Sequence, residues 1–141
     1  MADVGLIRKR VRAEIDAARK SSATRRERSA VAERDYETFL TEVATPAFRQ
    51  MANVLRAEGI PFDVLTPSNG VRLVSDRNRD AIELELDTTL DPPQPMLIST
   101  HTRGSRVVRH ERFIKETADI SIITEDDVIE RLIEELRPWL G

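Results

Sequence analysis

Apolar residues recur at helical spacing near the start of the chain. Val4, Ile7, Val11, Ile15 and Ala18 share one side, and Tyr36, Phe39, Leu40 and Val43 resume the stripe after a polar centre over residues 20–28. No proline lies between Asp3 and Ala44, and Gly5 is the one glycine there, so the pattern predicts a long helix. Forty residues of helix would be about 60 Å long, more than a small sheet can cover, so the outer part must lie in solvent or against another chain. Alanines at inward positions and the Ser21-Ser22 interruption favour a weak or antiparallel coiled coil over a strong parallel zipper. A disordered tail over residues 1–28 is the alternative, given their low apolar content. Thr45-Pro46 predicts a kink or a fresh helix, with the threonine as N-cap and the proline in the first turn. Phe48, Met51, Ala52 and Leu55 would face the sheet before Gly59 and Pro61 stop the helix.

Beyond Pro61 the period changes to two. Phe62, Val64 and Thr66 alternate, Pro67-Ser68-Asn69-Gly70 turns the chain, and Val71, Leu73 and Ser75 follow. A turn about Asn78-Arg79 would pair Val71 with Leu86, Leu73 with Leu84 and Ser75 with Ile82, leaving Arg72 opposite Glu85 on the other side. Asp91-Pro92-Pro93-Gln94-Pro95 reads as a connector, because consecutive prolines cannot donate to a ladder. Arg103-Gly104-Ser105-Arg106 reads as a type II′ hairpin turn between the last two strands. Thr124-Glu125-Asp126-Asp127 resembles a capping box, opening a helix whose stripe is Val128, Ile129, Leu132, Ile133, Leu136, Trp139 and Leu140. The expected fold class is α+β: a five-stranded antiparallel meander sheet covered on one face by helices, with a long N-terminal helix extension. Residues 1–44 form the basic helical extension and residues 45–141 the α+β domain.

Composition narrows this picture. The chain has 141 residues, 40% hydrophobic but only 4% aromatic, enough for one modest aliphatic core. The absence of cysteine removes disulfides and thiolate metal sites, and no apolar run approaches the ~20 residues needed to span a bilayer. A soluble, cytoplasmic protein is the simplest expectation. Residues 1–35 hold ten basic and six acidic groups while residues 36–141 hold twelve and nineteen, so the head is +4 and the body −7. Such asymmetry suits either a solvated helix or contact with an oppositely charged partner.

The hairpin carries the one concentration of chemistry. Its turn sets Arg103 opposite Arg106, His101 opposite Val108, Ser99 opposite His110 and Leu97 opposite Arg112. One side therefore gathers Ser99, His101, Arg103, Arg106, His110 and Arg112, a candidate anion- or partner-binding face. The other gathers Met96, Ile98, Thr100, Thr102, Val107 and Phe113, with Arg109 and Glu111 out of place among them. The two histidines lack a third metal ligand and have cationic neighbours, so no metal is expected. Glu83, Glu85 and Asp87 repeat along one strand as a solvated face, and Arg72 would keep Glu85 ionised. No phosphate loop, nucleophile elbow or metalloprotease helix is present, and no cofactor is expected. Three readings follow, in order. The first is a non-enzymatic homo-oligomeric interaction module, joined by its N-terminal helix and binding an acidic protein partner on the hairpin face. The second is a DNA-associated regulator using the basic helix, set lower because the body is acidic and the face lacks stacking aromatics. The third is an enzyme with a sheet–helix pocket and His101 or His110 as base.

Overall fold

The computed structural model describes residues 3–141; residues 1 and 2 of the expected extension and tail lie outside the described residues. Helix α1 spans Val4–Phe39 and opens on Asp3, whose carboxylate accepts from the Gly5 N–H at 2.9 Å. A wide π turn, Leu40–Ala44, joins it to α2, Thr45–Ala57. Pro46 explains the turn, since a proline inside a straight α-helix lacks the N–H and its ring collides with the carbonyl four residues back. Here the Thr45 N–H reaches back to the Leu40 carbonyl, the longer bond of a π turn, and the chain passes the proline without breaking. The expected N-cap at Thr45 is thus corrected: the residue is helical and its side chain makes no capping bond.

Five strands follow, β1 Phe62–Leu65, β2 Gly70–Ser75, β3 Ala81–Asp87, β4 Gln94–Arg103 and β5 Arg106–Phe113, in an antiparallel meander ordered as in sequence. Helix α3, Glu125–Leu140, closes the chain behind the predicted capping box, with Thr124 accepting from the Asp127 N–H and Asp127 from the Thr124 N–H. The β4–β5 register is the expected one, Arg103 opposite Arg106 through Met96 opposite Phe113, and Gly104 takes the positive φ of 60° that a II′ turn requires.

The β2–β3 register differs from expectation by two residues: Val71 faces Leu84, Leu73 faces Ile82 and Arg72 faces Glu83. The turn is centred one residue earlier, held by the Ser75 N–H donating to the Asp80 carbonyl at 2.8 Å and by Asn78 Oδ1 accepting from the Asp80 N–H at 2.8 Å. A two-residue shift leaves each side chain on its expected face, so the apolar residues still converge.

The core joins Val71, Leu73, Ile82, Leu84 and Leu97 of the sheet to Phe48, Met51 and Leu55 of α2 and to Val128, Leu132 and Leu136 of α3. Ala32, Tyr36 and Phe39 bring the last turns of α1 into the same core, while every residue from 3 to 28 is exposed. The second face of the sheet stays open, carrying ion pairs between Arg72 and Glu83 at 3.0 Å and between Arg109 and Glu111 at 2.7 Å. Arg109 and Glu111 thereby find their place, as partners of one another on the open side.

Leu136, 1% exposed, is expected to lose about 2–5 kcal/mol of stability when changed to Ala. A urea midpoint unchanged by Leu136→Ala would put α3 outside the cooperative core.

Candidate functional site: the basic hairpin face

Whether the basic side of the β4–β5 hairpin faces solvent is decided by β3. Leu84 pairs with Leu97 and Ile82 with Ser99, and directly opposed residues point the same way. Because Leu84 and Ile82 belong to the core, the side holding Ser99, His101, His110 and Arg112 turns toward the helices. The face expected to be open is therefore partly covered by α3.

There the chain's own acids meet it. Glu135 is 5% exposed, and its carboxylate accepts from Ser99 Oγ at 2.8 Å, His110 Nδ1 at 2.9 Å and Arg112 Nη1 at 3.3 Å. Glu134 beside it accepts from Arg112 Nη1 at 2.6 Å and Arg131 Nη1 at 3.0 Å. A buried carboxylate left unpaired is strongly destabilising, and three converging donors remove that cost. An ionised carboxylate can only accept, so in this contact the His110 Nδ1 carries the hydrogen and donates it. Three of the six predicted residues are thus brought together around one anion, supplied in cis.

The other three are placed differently. His101 is half-buried, its ring edge-on to Trp139 at 5.6 Å, and its Nδ1 is buried without a hydrogen-bond partner. Arg103 and Arg106 stand exposed at the hairpin tip, beyond the helices, and enter no ion pair among the described residues. The tip is the open part of the face.

One further polar cluster escaped the sequence. Asp80, 4% exposed, accepts from the Thr102 N–H at 3.0 Å, Thr102 Oγ1 at 2.9 Å and Trp139 Nε1 at 3.0 Å, tying the end of α3 to the β2–β3 turn and to β4. Nothing in the local pattern of Asp80 marks it, since its partners are 22 and 59 residues away. On the open face, Glu83 rather than Glu85 takes Arg72, which corrects the expected pair. Desolvation at the sheet surface, and after it a hydrogen bond with Glu83, raises the Glu85 carboxyl above its ordinary value. The Arg131 hydrogen bond, with Arg112 beyond it, holds Glu134 below the usual carboxylate range, and the Thr124 N–H does the same for Asp127.

Among the described residues, no three His, Cys, Asp or Glu side chains are grouped to hold a metal ion, and no helix is long and apolar enough to cross a membrane. No family model, curated protein or solved structure matches this chain.

Arg112→Gln is expected to cost about 1–3 kcal/mol by leaving Glu135 short of a charged donor, whereas Arg103→Gln and Arg106→Gln should each stay within about 0.5 kcal/mol. Equal urea midpoints for all three would show that Glu135 does not depend on Arg112. The depressed carboxyls of Glu134 and Asp127 contribute stability above the unfolded carboxylate values near ~4, and it is lost as pH falls through their lower folded values. The chain should therefore lose stability below about pH 4, and Asp127→Asn should flatten that acid limb in denaturation curves run at pH 7 and pH 3.

Proposed function

We propose that this chain is a non-enzymatic interaction module that forms a homo-oligomer through its N-terminal helix and offers the hairpin tip, Arg103 and Arg106, to an anionic partner, foremost an acidic protein segment. The exposed outer part of α1 carries this reading. Val4, Leu6, Ile7, Val11 and Ile15 are 44% to 70% exposed along it and touch no core. Helical stability in proteins comes mostly from packing of an apolar face, and this one has no partner within its own domain. The anionic side of the reading is supported by chemistry already at work on the same hairpin, where Ser99, His110 and Arg112 hold a carboxylate. The tip offers two further guanidiniums of the kind that binds carboxylates in forked geometry.

The DNA-associated reading is favoured by a separate observation. Residues 4–28 hold nine basic and three acidic side chains, all exposed. The opposing body charge of −7 ranks it second.

Light scattering of the full chain should give a multiple of 16.0 kDa, and Val11→Asp combined with Ile15→Asp should return the mass to 16.0 kDa. A wild-type chain that is monomeric at every concentration would remove the assembly reading. Retardation of duplex DNA at about 50 mM salt, lost at higher salt, would promote the second reading instead.

A further inference from the structure

A second unpartnered apolar surface lies on the helix layer. Between α2 and α3 runs a groove of about 480 Å³, lined by Met51, Val54 and Leu55 on one wall and Ile129, Ile133 and Leu140 on the other. Val54, Ile133 and Leu140 are each about half exposed, at 53%, 48% and 48%. Glu58 stands in the lining, and Glu130 lies one turn ahead of Ile133 on α3. We infer that this groove receives the outer half of α1 from a second copy of the chain.

Charge, length and connectivity select that occupant, on the assumption of the assembly reading above. Of the acids of α3, Glu134, Glu135 and Asp127 are engaged by Arg112, His110 and Lys115, which leaves Glu125, Asp126 and Glu130 along it unpaired among the described residues, whereas residues 4–18 of α1 hold four basic and two acidic residues, a balance of +2. The stripe Val4, Ile7, Val11, Ile15, Ala18 occupies 15 residues, about 22 Å of helix, against about 20 Å for α2 and 24 Å for α3. An amphipathic helix lying in an apolar groove with anchors at this spacing is a recurring mode of recognition.

The chain cannot fill its own groove. Helix α1 runs unbroken from Val4 to Phe39 and is fixed at Ala32, Tyr36 and Phe39, so its outer half cannot fold back. Pairing α1 with α1 is the weaker arrangement. Arg8 and Arg12 flank Ile7, Val11 and Ile15 and would face a second helix of the same sign, whereas in the groove they approach Glu58 and Glu130.

The absence of cysteine permits a direct test. Full-length chains carrying Ile7→Cys, Val11→Cys or Ile15→Cys are each mixed with chains carrying Val54→Cys or Ile133→Cys and treated with a short bis-maleimide. The inference expects mixed dimers from at least one combination, none when the Cys of α1 is the only one present, and loss of cross-linking when Arg8→Glu and Arg12→Glu are added. Restoration by Glu58→Arg with Glu130→Arg would confirm the charge match. Cross-linking between two α1 cysteines, with no mixed product, would overturn the groove as the receiving site while leaving the assembly reading intact. An oligomer whose mass is unchanged by Ile133→Arg would overturn it equally, with thermal melting confirming that this exposed substitution leaves the fold in place. A monomeric wild-type chain would overturn both.

Discussion

The pairing of β3 with β4 is the constraint on which the rest of the molecule depends. Leu84 opposite Leu97 and Ile82 opposite Ser99 fix the parity of β4, and the tight II′ turn passes that parity to β5. Since side chains alternate along a strand, a slip of one residue would exchange the faces of the last two strands. Met96, Ile98 and Phe113 would then point toward α3, while Leu97, Ser99, His110 and Arg112 met solvent. The core would lose Leu97, and Glu135 would be buried without donors. Apolar packing in the middle of the sheet and ion pairing at its edge thus favour one register.

The same parity explains how α3 is seated. Val128, Leu132 and Leu136 supply the apolar contact, which by itself tolerates sliding and rotation. Two polar ties, on different parts of the helix, do not. At Glu135 a carboxylate must meet Ser99, His110 and Arg112, and at Trp139 an indole N–H must meet Asp80. Neither tie stabilises the fold much relative to solvated partners, because desolvation offsets most of the attraction. Breaking either one strands a buried polar group, so alternative seatings of α3 are penalised.

Much of this architecture is legible in the sequence, because the signals involved are local. The change of period after Pro61, the Gly104-Ser105 turn and the Thr124 capping box each involve residues within a few positions of one another, and the structure has each where the pattern puts it. The pattern places the β2–β3 turn one residue late because Asp76, Asn78 and Asp80 are all turn formers, and the Asn78–Asp80 bond that selects among them is not a feature of composition. The orientation of the hairpin was illegible for a different reason. A hairpin considered alone has two equivalent sides, and its basic side looked solvent-facing because it was charged. Only the neighbouring strand breaks that symmetry. Leu97 and Val108 are the aliphatic residues on an otherwise polar side, and Leu97, which is fully buried, is the local sign that this side faces inward. At Thr45-Pro46 the cap pattern is present, but a π turn over Leu40–Ala44 carries the helix past the proline instead.

The outer half of α1 poses the remaining physical problem. Its Arg, Lys, Glu and Ala residues are good helix formers, and a run of about 25 exceeds the ~12–15 residues below which isolated helices are marginal in water. Intrinsic propensity is therefore sufficient to extend the helix, but it does not account for the placement of Val4, Ile7, Val11 and Ile15 on a single side. Solubility would be served better by polar residues at those positions, and the domain's own core cannot use them. A helix that needs only to exist has no use for an apolar stripe; a helix that must be recognised does. Beyond the polar centre over residues 20–28, Ala32, Tyr36 and Phe39 resume an apolar stripe on α1 and show what such a stripe does where a surface is available to it.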